Sequence, residues 1–469
     1  MNFLKNGMKI HFLGIGGISM SGLAEILKNK GFLVRGSDQR NSETTKRLME
    51  LGIEVFFPNS EENISEEIDL VVYTAAVRHD NPEYMEAKKR GIPLLERAEL
   101  LKHMLDSYKN TICISGTHGK TSTTNMLSDV LCVLGHDPTV SLGGHMVSNG
   151  MNYRVGGGGF FLLEACEYNN SFLHWSPFVG VILNLEYDHP DTYKNLDDVV
   201  SSFSKFAKNV LPSGFLVVNK AIPEFCVLVK NTRANVVTFG PENTGARFWP
   251  KNIECQKGFT RFDIMEDVSC VARAELPLPG TVNVMNALAC FAVCRTLGIA
   301  PDLAAKALGS VQGTKRRFEF KGSHGGISVY DDYAHHPTEI KASLRAFREF
   351  VRPKGRVICI FQPHTYSRTK HLLRDFACSF DDADIVVLLP IFAARENFDA
   401  TVSSEMLGRG ILENGTCARN FEKFDKAGNF VIEEAKKGDV VITLGAGEVY
   451  KIGDSLIEHK FSTLSTELL

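Results

Sequence analysis

The chain has 469 residues, 44% of them hydrophobic and 23% charged, with a net charge of -3. That length is about three times an ordinary domain, so two or three separate cores are expected and a disordered chain is excluded. The near balance of charge excludes a general nucleic-acid or membrane binder, which needs a basic excess, and leaves small anionic ligands open.

In chain order, "MKIHFLGIGGISMSGLAEILKNKGFLVRGSD" predicts a strand, a glycine turn, a helix to Lys30 and a second strand ending at Asp38, a βαβ unit. Its turn carries Gly14, Gly16 and Gly17, with Ser19 where a G-x-G-x-x-G pattern has its third glycine and Gly22 further on. Such glycines let the backbone approach a diphosphate at a helix N-terminus. Asp38 stands about twenty residues on, where a ribose hydroxyl is held in such folds. The turn alone leaves NAD and a UDP-type ligand undecided.

A second unit follows in "ICISGTHGKTSTTNMLSDVLCVLG", with a strand from Thr111 to Ser115 and a helix from Lys120 to Leu134, stopped by Gly135. The turn "GTHGKTS" brings Gly116, Thr117, His118, Gly119, Lys120, Thr121 and Ser122, two residues shorter than a Walker A loop. Backbone amides there can cradle phosphates, Lys120 can reach the outer ones, and the Thr121 hydroxyl can sit on magnesium. A lysine in a first helical turn opposes the helix dipole unless an anion justifies it. ATP is the expected occupant.

Further on, "GRVICIFQP", "ADIVVLLPIF" and "GDVVITLGAGEVYKIGD" predict a third α/β layer. The glycine-rich segment "YRVGGGGFF" reads as a tight connection between strands. Boundaries set on polar or glycine-rich passages divide the chain into residues 1–109, 110–322 and 323–469. The eleven cysteines, scattered from Cys113 to Cys417 without a CxxC pair, predict neither a disulfide framework nor a thiolate zinc site and fit a reducing cytoplasm. No apolar stretch approaches the ~18 residues of a membrane span.

The stretches "HFLGIGGISMSGLAE", "TAAVRHDNPE", "GTHGKTSTT", "EACEYNNSFL", "NLEYDHPD", "GTKRRFEF", "DDYAHHPTE" and "FQPHTYSRT", in this order over nearly the whole chain, resemble the Mur ligase family. The family reads GxHNxxNA where this chain has "GTVNVMNA", so Val282 replaces the histidine while Asn283 and Asn286 are retained. The resemblance implies an α/β protein of three domains: an N-terminal Rossmann-like one for a UDP-sugar, a central P-loop ATPase-type domain and a C-terminal Rossmann-like domain bringing an amino acid. It implies that ATP phosphorylates the carboxylate of UDP-N-acetylmuramate and that the amine of L-alanine attacks the acyl phosphate, in peptidoglycan precursor synthesis. A muropeptide ligase of the same fold and a nucleotide-gated binding protein without ligase activity are the alternatives.

Site residues follow from the same resemblance. Gly16, Gly17, Ser37, Asp38 and Thr74 are expected on the UDP-sugar. The Gly116–Ser122 turn, Asn283, Arg317 and Asp332 are expected on ATP, with Arg316 able to exchange roles with Arg317. Thr121, Glu167 and His189 are expected on Mg2+, with Glu164 a rival, and an imidazole ligand extends acceptance to Mn2+. Tyr333, His335 and Arg368 are expected on the amino acid, with His336 and His364 as competitors. Lys120, His335 and Arg368 are the expected catalytic residues.

Overall fold

The computed structural model describes residues 4–458 except 75, 76, 191, 257, 352 and 395, with Ile18 described in its backbone only. Ala75 and Ala76 of "TAAVRHDNPE", Asp191 of "NLEYDHPD" and the segment beyond 458 lie outside the described residues.

Three sheets succeed one another. The first is parallel, in the spatial order Glu54–Phe56, Leu33–Ser37, Lys9–Leu13, Leu70–Tyr73, Leu94–Glu96. Chain order reverses between Lys9–Leu13 and Leu70–Tyr73, whose carboxyl ends lead into Gly14 and Thr74, and it is at such a reversal that open α/β sheets place their ligands.

The second sheet has ten strands. At its heart Asn110–Ser115 runs parallel between Val179–Ile182 and Phe160–Glu164. Ile112, Cys113 and Ile114 are fully buried, as a strand covered on both faces requires. An antiparallel ribbon, Phe248–Gln256, Phe259–Glu266 and Ser269–Leu276, extends one edge.

In the third sheet Glu319–His324 pairs antiparallel with Ile327–Asp332, followed by Val440–Leu444, Val357–Phe361, Ile385–Leu388 and Cys417–Asn420, all parallel. The expected boundary after 322 therefore cuts a strand of this sheet. The glycine-rich passage that suggested a boundary is a hairpin turn, where Gly325 (φ 57°) and Gly326 (φ 80°) take the left-handed conformations a two-residue turn needs.

The first two sheets share one apolar core. It runs from Ile10 and Phe12 through Leu105 and Phe161 to Phe172, Phe203 and Phe206. The helix Leu196–Asn209 supplies the last two: Asn195 caps it by accepting the Asp198 N–H (2.9 Å), and Val199, Phe203 and Phe206 fall on its buried face. Phe172 stacks on Phe206 at 5.0 Å and meets Phe203 edge-on at 5.1 Å. Phe203→Ala should therefore cost roughly 3–5 kcal/mol. The check is a clear fall in melting temperature, against no change for Val268→Ala, whose side chain is 91% exposed.

Candidate active site

The strand Asn110–Ser115 ends in the turn that starts the helix Lys120–Val133. Gly119 sits at φ 79°, and a Cβ there would come within 2.8 Å of Asn286 Oδ1. Only glycine lets the turn close on the neighbouring helix Thr281–Thr296. The turn is braced from the loop after Val179–Ile182: the His118 N–H donates to Asn184 Oδ1 (2.8 Å), and the Glu186 N–H donates to Thr117 Oγ1 (2.9 Å).

Lys120 is folded back over this turn. Its ammonium donates to the carbonyls of Gly116 (2.5 Å) and Thr117 (3.0 Å) and lies 2.9 Å from Glu167 Oε2. Burial alone would lower the lysine pKa, but the Glu167 carboxylate outweighs it and the ammonium stays charged. Burial would likewise raise Glu167, yet Lys120 and His189 hold it below the usual carboxylate range.

His189 Nε2 lies 3.5 Å from Glu167 Oε1. Glu167 is 2% exposed, with the Lys120 ammonium against both its oxygens, 3.1 Å from Oε1 and 2.9 Å from Oε2. A buried carboxylate beside an imidazole is by its chemistry a donor set that fits a divalent cation, once the Lys120 ammonium turns to a phosphate. Thr121 stands apart from this pair in one respect: its hydroxyl donates to Glu164 Oε2 (2.8 Å), which also takes the Gly143 N–H (2.6 Å). Glu164 is thus engaged in holding Thr121 and the Gly143 backbone.

A cleft opens between the turn and the third sheet, lined by Gly119, Ser122, Asn283, Asn286, Arg317 and Asp332 among others. The two arginines divide here. Arg316 Nε donates to Asp331 Oδ2 (3.0 Å) and Nη2 to the Gly445 carbonyl (2.6 Å), so it ties the third unit together. Arg317 faces the cleft, with Glu339 Oε1 at 3.9 Å. Asp332 accepts the N–H groups of Phe318 (3.0 Å) and Ala334 (2.8 Å), and burial pushes its pKa up to about 6. Val282 is 48% exposed at the cleft edge, while the Asn283 side-chain amide donates to the Pro279 carbonyl just before its own helix (2.7 Å).

The turn also reaches across the cleft. His118 Nδ1 bonds Glu339 Oε1 (3.0 Å) and its Nε2 lies 3.4 Å from Glu186 Oε2. Thr338 Oγ1 donates to Glu186 Oε2 at 2.7 Å.

Below the cleft, Arg368 is 5% exposed and turns to the second unit, donating from Nε (3.0 Å) and Nη2 (3.3 Å) to the two oxygens of Asp188. Burial would raise Asp188, but the guanidinium holds its carboxyl well below the usual range. His364 Nδ1 accepts from Arg368 Nη1 (3.0 Å). His335 Nδ1 bonds the Tyr333 carbonyl (3.0 Å), so that nitrogen carries the proton. Burial pushes His335 down to about 3 and His364 down to about 4, leaving both neutral. Tyr333 is packed under the arginines, its ring 5.0 Å from both guanidinium carbons.

At the first turn, the Gly16 N–H donates to Asp38 Oδ2 (2.8 Å), and a Cβ on Gly16 would meet Thr45 Cγ2 at 2.7 Å. Gly17 precedes the helix Ile18–Asn29. Ser37 bonds the buried carboxylate of Glu83, which also takes the Asn63 side-chain amide (2.6 Å). Gly16, Gly17, Ser37, Asp38 and Thr74 thus fall at the carboxyl ends of the first sheet's three inner strands, and none of them lines the Lys120 cleft. Four charged groups of the site, Asp188, Glu186, Glu339 and Glu83, were not singled out from sequence. All four lie inside the quoted stretches "TAAVRHDNPE", "NLEYDHPD" and "DDYAHHPTE", so the signal was present without a role attached.

Three α/β layers around a glycine turn with a buried lysine define a multidomain nucleotide-binding enzyme. Residues 9–109, 114–294 and 316–447 match in turn the Mur ligase family catalytic domain, the Mur ligase middle domain and the Mur ligase glutamate ligase domain. The chain belongs to the Mur ligase family. It is 47% identical over 462 residues to the UDP-N-acetylmuramate--L-alanine ligase of Clostridium novyi, covering 98% of this chain and 99% of that protein. Among solved structures it resembles the UDP-N-acetylmuramate-alanine ligase MurC of Thermotoga maritima, with a TM-score of 0.79 and 30% identity over 97% of this chain and 100% of that one. The murein peptide ligase of Psychrobacter arcticus shares the fold, with a TM-score of 0.68 at 23% identity over 96% of this chain and 98% of that one.

Burial would lower the His118 pKa, but Glu339 and Glu186 outweigh it and push it up to about 9. A folded-state pKa above the unfolded one makes this contact stabilising below the ordinary histidine pKa of ~6.5, and the contribution is lost as pH rises through about 9. NMR titration should find the His118 ring ionising near that pH. In Glu339→Gln it should fall by roughly one unit or more.

Proposed function

We propose that this chain joins L-alanine to the carboxylate of UDP-N-acetylmuramate with cleavage of ATP to ADP and phosphate, the activity for which its curated relatives are named. The observation that carries this reading is the buried ammonium of Lys120 at the glycine turn, in a chain 47% identical over 98% of its length to such a ligase. A carboxylate oxygen of the sugar attacks the γ-phosphorus while the bond to ADP breaks. The ammonium of L-alanine gives up one proton to solvent, the free amine attacks the acyl carbon, the bond to phosphate breaks, and the second proton leaves nitrogen for the departing phosphate.

Attack of one anion on another needs concentrated positive charge, which Lys120 supplies to the transferring phosphoryl group. The Gly116–Ser122 turn, Asn283, Arg317 and Asp332 hold ATP. Glu167 and His189, with Thr121, would hold Mg2+, and the imidazole also suits Mn2+. Such an ion supplies charge at the phosphoryl oxygens when bound. Gly16, Gly17, Ser37, Asp38 and Thr74 hold the UDP-sugar in residues 1–109. Residues 110–322 carry the nucleotide, and residues 323–469, together with the strand Glu319–His324, bring the amino acid.

Arg368 and Asp188 present the two charges that complement a zwitterion. On this reading the carboxylate of L-alanine takes the guanidinium while its ammonium takes Asp188, replacing one buried ion pair by two. His335, with a pKa near 3, is too weak a base to carry off the ammonium proton and instead fixes the pocket wall beside Tyr333. The enzyme works in the cytoplasm, a place that eleven unpaired cysteines support. No helix among the described residues is long and apolar enough to cross a membrane.

The direct test is ADP release with UDP-N-acetylmuramate and either L-alanine or a tripeptide. Turnover with L-alanine supports the reading, and turnover with the tripeptide alone overturns it. Lys120→Ala should fold and lose ligation, so near-normal turnover would remove Lys120 from the chemistry. Arg368→Ala should lose on the order of 2–5 kcal/mol in kcat/KM for L-alanine with ATP affinity little changed, and Arg368→Lys should fall between. Unchanged kinetics in both variants would refute the carboxylate role.

A further inference from the structure

Three side chains of metal-ligand type meet where the glycine turn faces the start of the helix Pro337–Ala346: His118, Glu186 and His336. One donor atom from each lies within 4.8 Å of the others. His118 Nε2 is 3.4 Å from Glu186 Oε2, and His336 Nδ1 is 3.7 Å from the same oxygen. Tetrahedral ligands bound to zinc at 2.0–2.1 Å stand roughly 3.4 Å apart, so only small side-chain shifts separate this cluster from a binding geometry.

The surroundings match what such ions use. His118 turns its other nitrogen, Nδ1, to Glu339 Oε1 at 3.0 Å, the carboxylate–histidine arrangement that fixes a ligating ring. Thr338 Oγ1 holds Glu186 Oε2 at 2.7 Å. His336 is 4% exposed and caps the helix Pro337–Ala346, but only weakly: its Nδ1 takes one long bond from the Thr338 N–H (3.4 Å), which a metal ion would displace, and its Nε2 is buried without a hydrogen-bond partner. The two rings are inclined at 44° with centroids 4.8 Å apart, so they converge rather than stack. Two nitrogens and one carboxylate oxygen are a softer set than the ones magnesium selects.

We propose that His118, Glu186 and His336 form a binding site for a zinc-class divalent transition-metal ion that staples the phosphate-binding turn to the third unit. His118 and Glu186 both line the nucleotide cleft. The ion takes His118 at Nε2, releasing the proton held there to solvent while Nδ1 keeps its proton toward Glu339; once bound, it holds the turn in place at the cleft rim and competes with nucleotide, acting as a brake on whatever reaction the cleft performs. The site is separate from Glu167 and His189 and does not depend on the ligation reading.

Cobalt(II) serves as the probe, titrated into the reduced full-length chain with millimolar Mg2+ present to fill hard-oxygen sites. One equivalent should give a visible d–d band without thiolate charge transfer, and zinc should displace it. His336→Gln and Glu186→Gln should each weaken cobalt binding about a hundredfold, and Glu339→Gln about tenfold, as loss of a ligand and of a ligand's orienting partner do. Circular dichroism establishes that each variant is folded. Anomalous diffraction from a zinc-soaked wild-type crystal gives a check free of any variant, with the peak expected among the three side chains. A thiolate band, unchanged cobalt affinity in the folded variants, or a zinc peak only elsewhere would overturn the site.

Discussion

The buried ion pair of Lys120 and Glu167 sets the terms for everything around it. An ammonium removed from water costs several kcal/mol unless it is paired, and here two turn carbonyls and a carboxylate share it. Those partners come from three places: the turn's own backbone, the strand end after Phe160–Glu164, and, through His189, the loop after Val179–Ile182. The central strands of the second sheet must therefore keep their parallel register for the charge to be tolerated. A charge kept at such cost, in a position where a phosphate would relieve it, belongs to chemistry and not to stability.

The same logic holds the third unit in place. Its contacts with the second run through charges as well as through apolar surface: His118 to Glu339, Asp188 to Arg368, Glu186 to Thr338. The first and second units differ, since they share the phenylalanine-rich core that continues from Phe12 to Phe206. Apolar contacts resist sliding without specifying a chemistry, whereas each of these polar contacts involves a group that a phosphate, a zwitterion or a metal ion could claim. Buried ion pairs of this kind add little net stability, so exchanging a protein partner for a ligand is an affordable rearrangement.

Neighbouring residues of one type are sorted by what lies opposite them. Arg316 and Arg317 are adjacent, yet one is committed to Asp331 and the Gly445 carbonyl while the other faces the cleft. His335 and His336 are adjacent too; the first is bonded to the Tyr333 carbonyl and neutral, the second points toward Glu186 with one ring nitrogen unpartnered. Both guanidinium carbons still lie 5.0 Å from the Tyr333 ring, so the two arginines are separated by their polar partners.

Local chemistry was enough to determine the strand, glycine turn and helix of the first two units. Continuous apolar runs and glycines at left-handed positions act over a few bonds, so "GIGG" and "GTHGKTS" announce their own turns. The family resemblance likewise rests on short stretches that read the same in any conformation. The hairpin at Gly325 and Gly326 was misread as a boundary because a glycine pair looks alike in a linker and in a tight turn, and only strand pairing distinguishes them. Tertiary structure alone decided that Arg368 meets Asp188 across 180 residues and that His118 meets Glu339 across 221. The charge state of His335 was equally out of reach, because burial is the sum of every element packed around the ring and no local pattern encodes it.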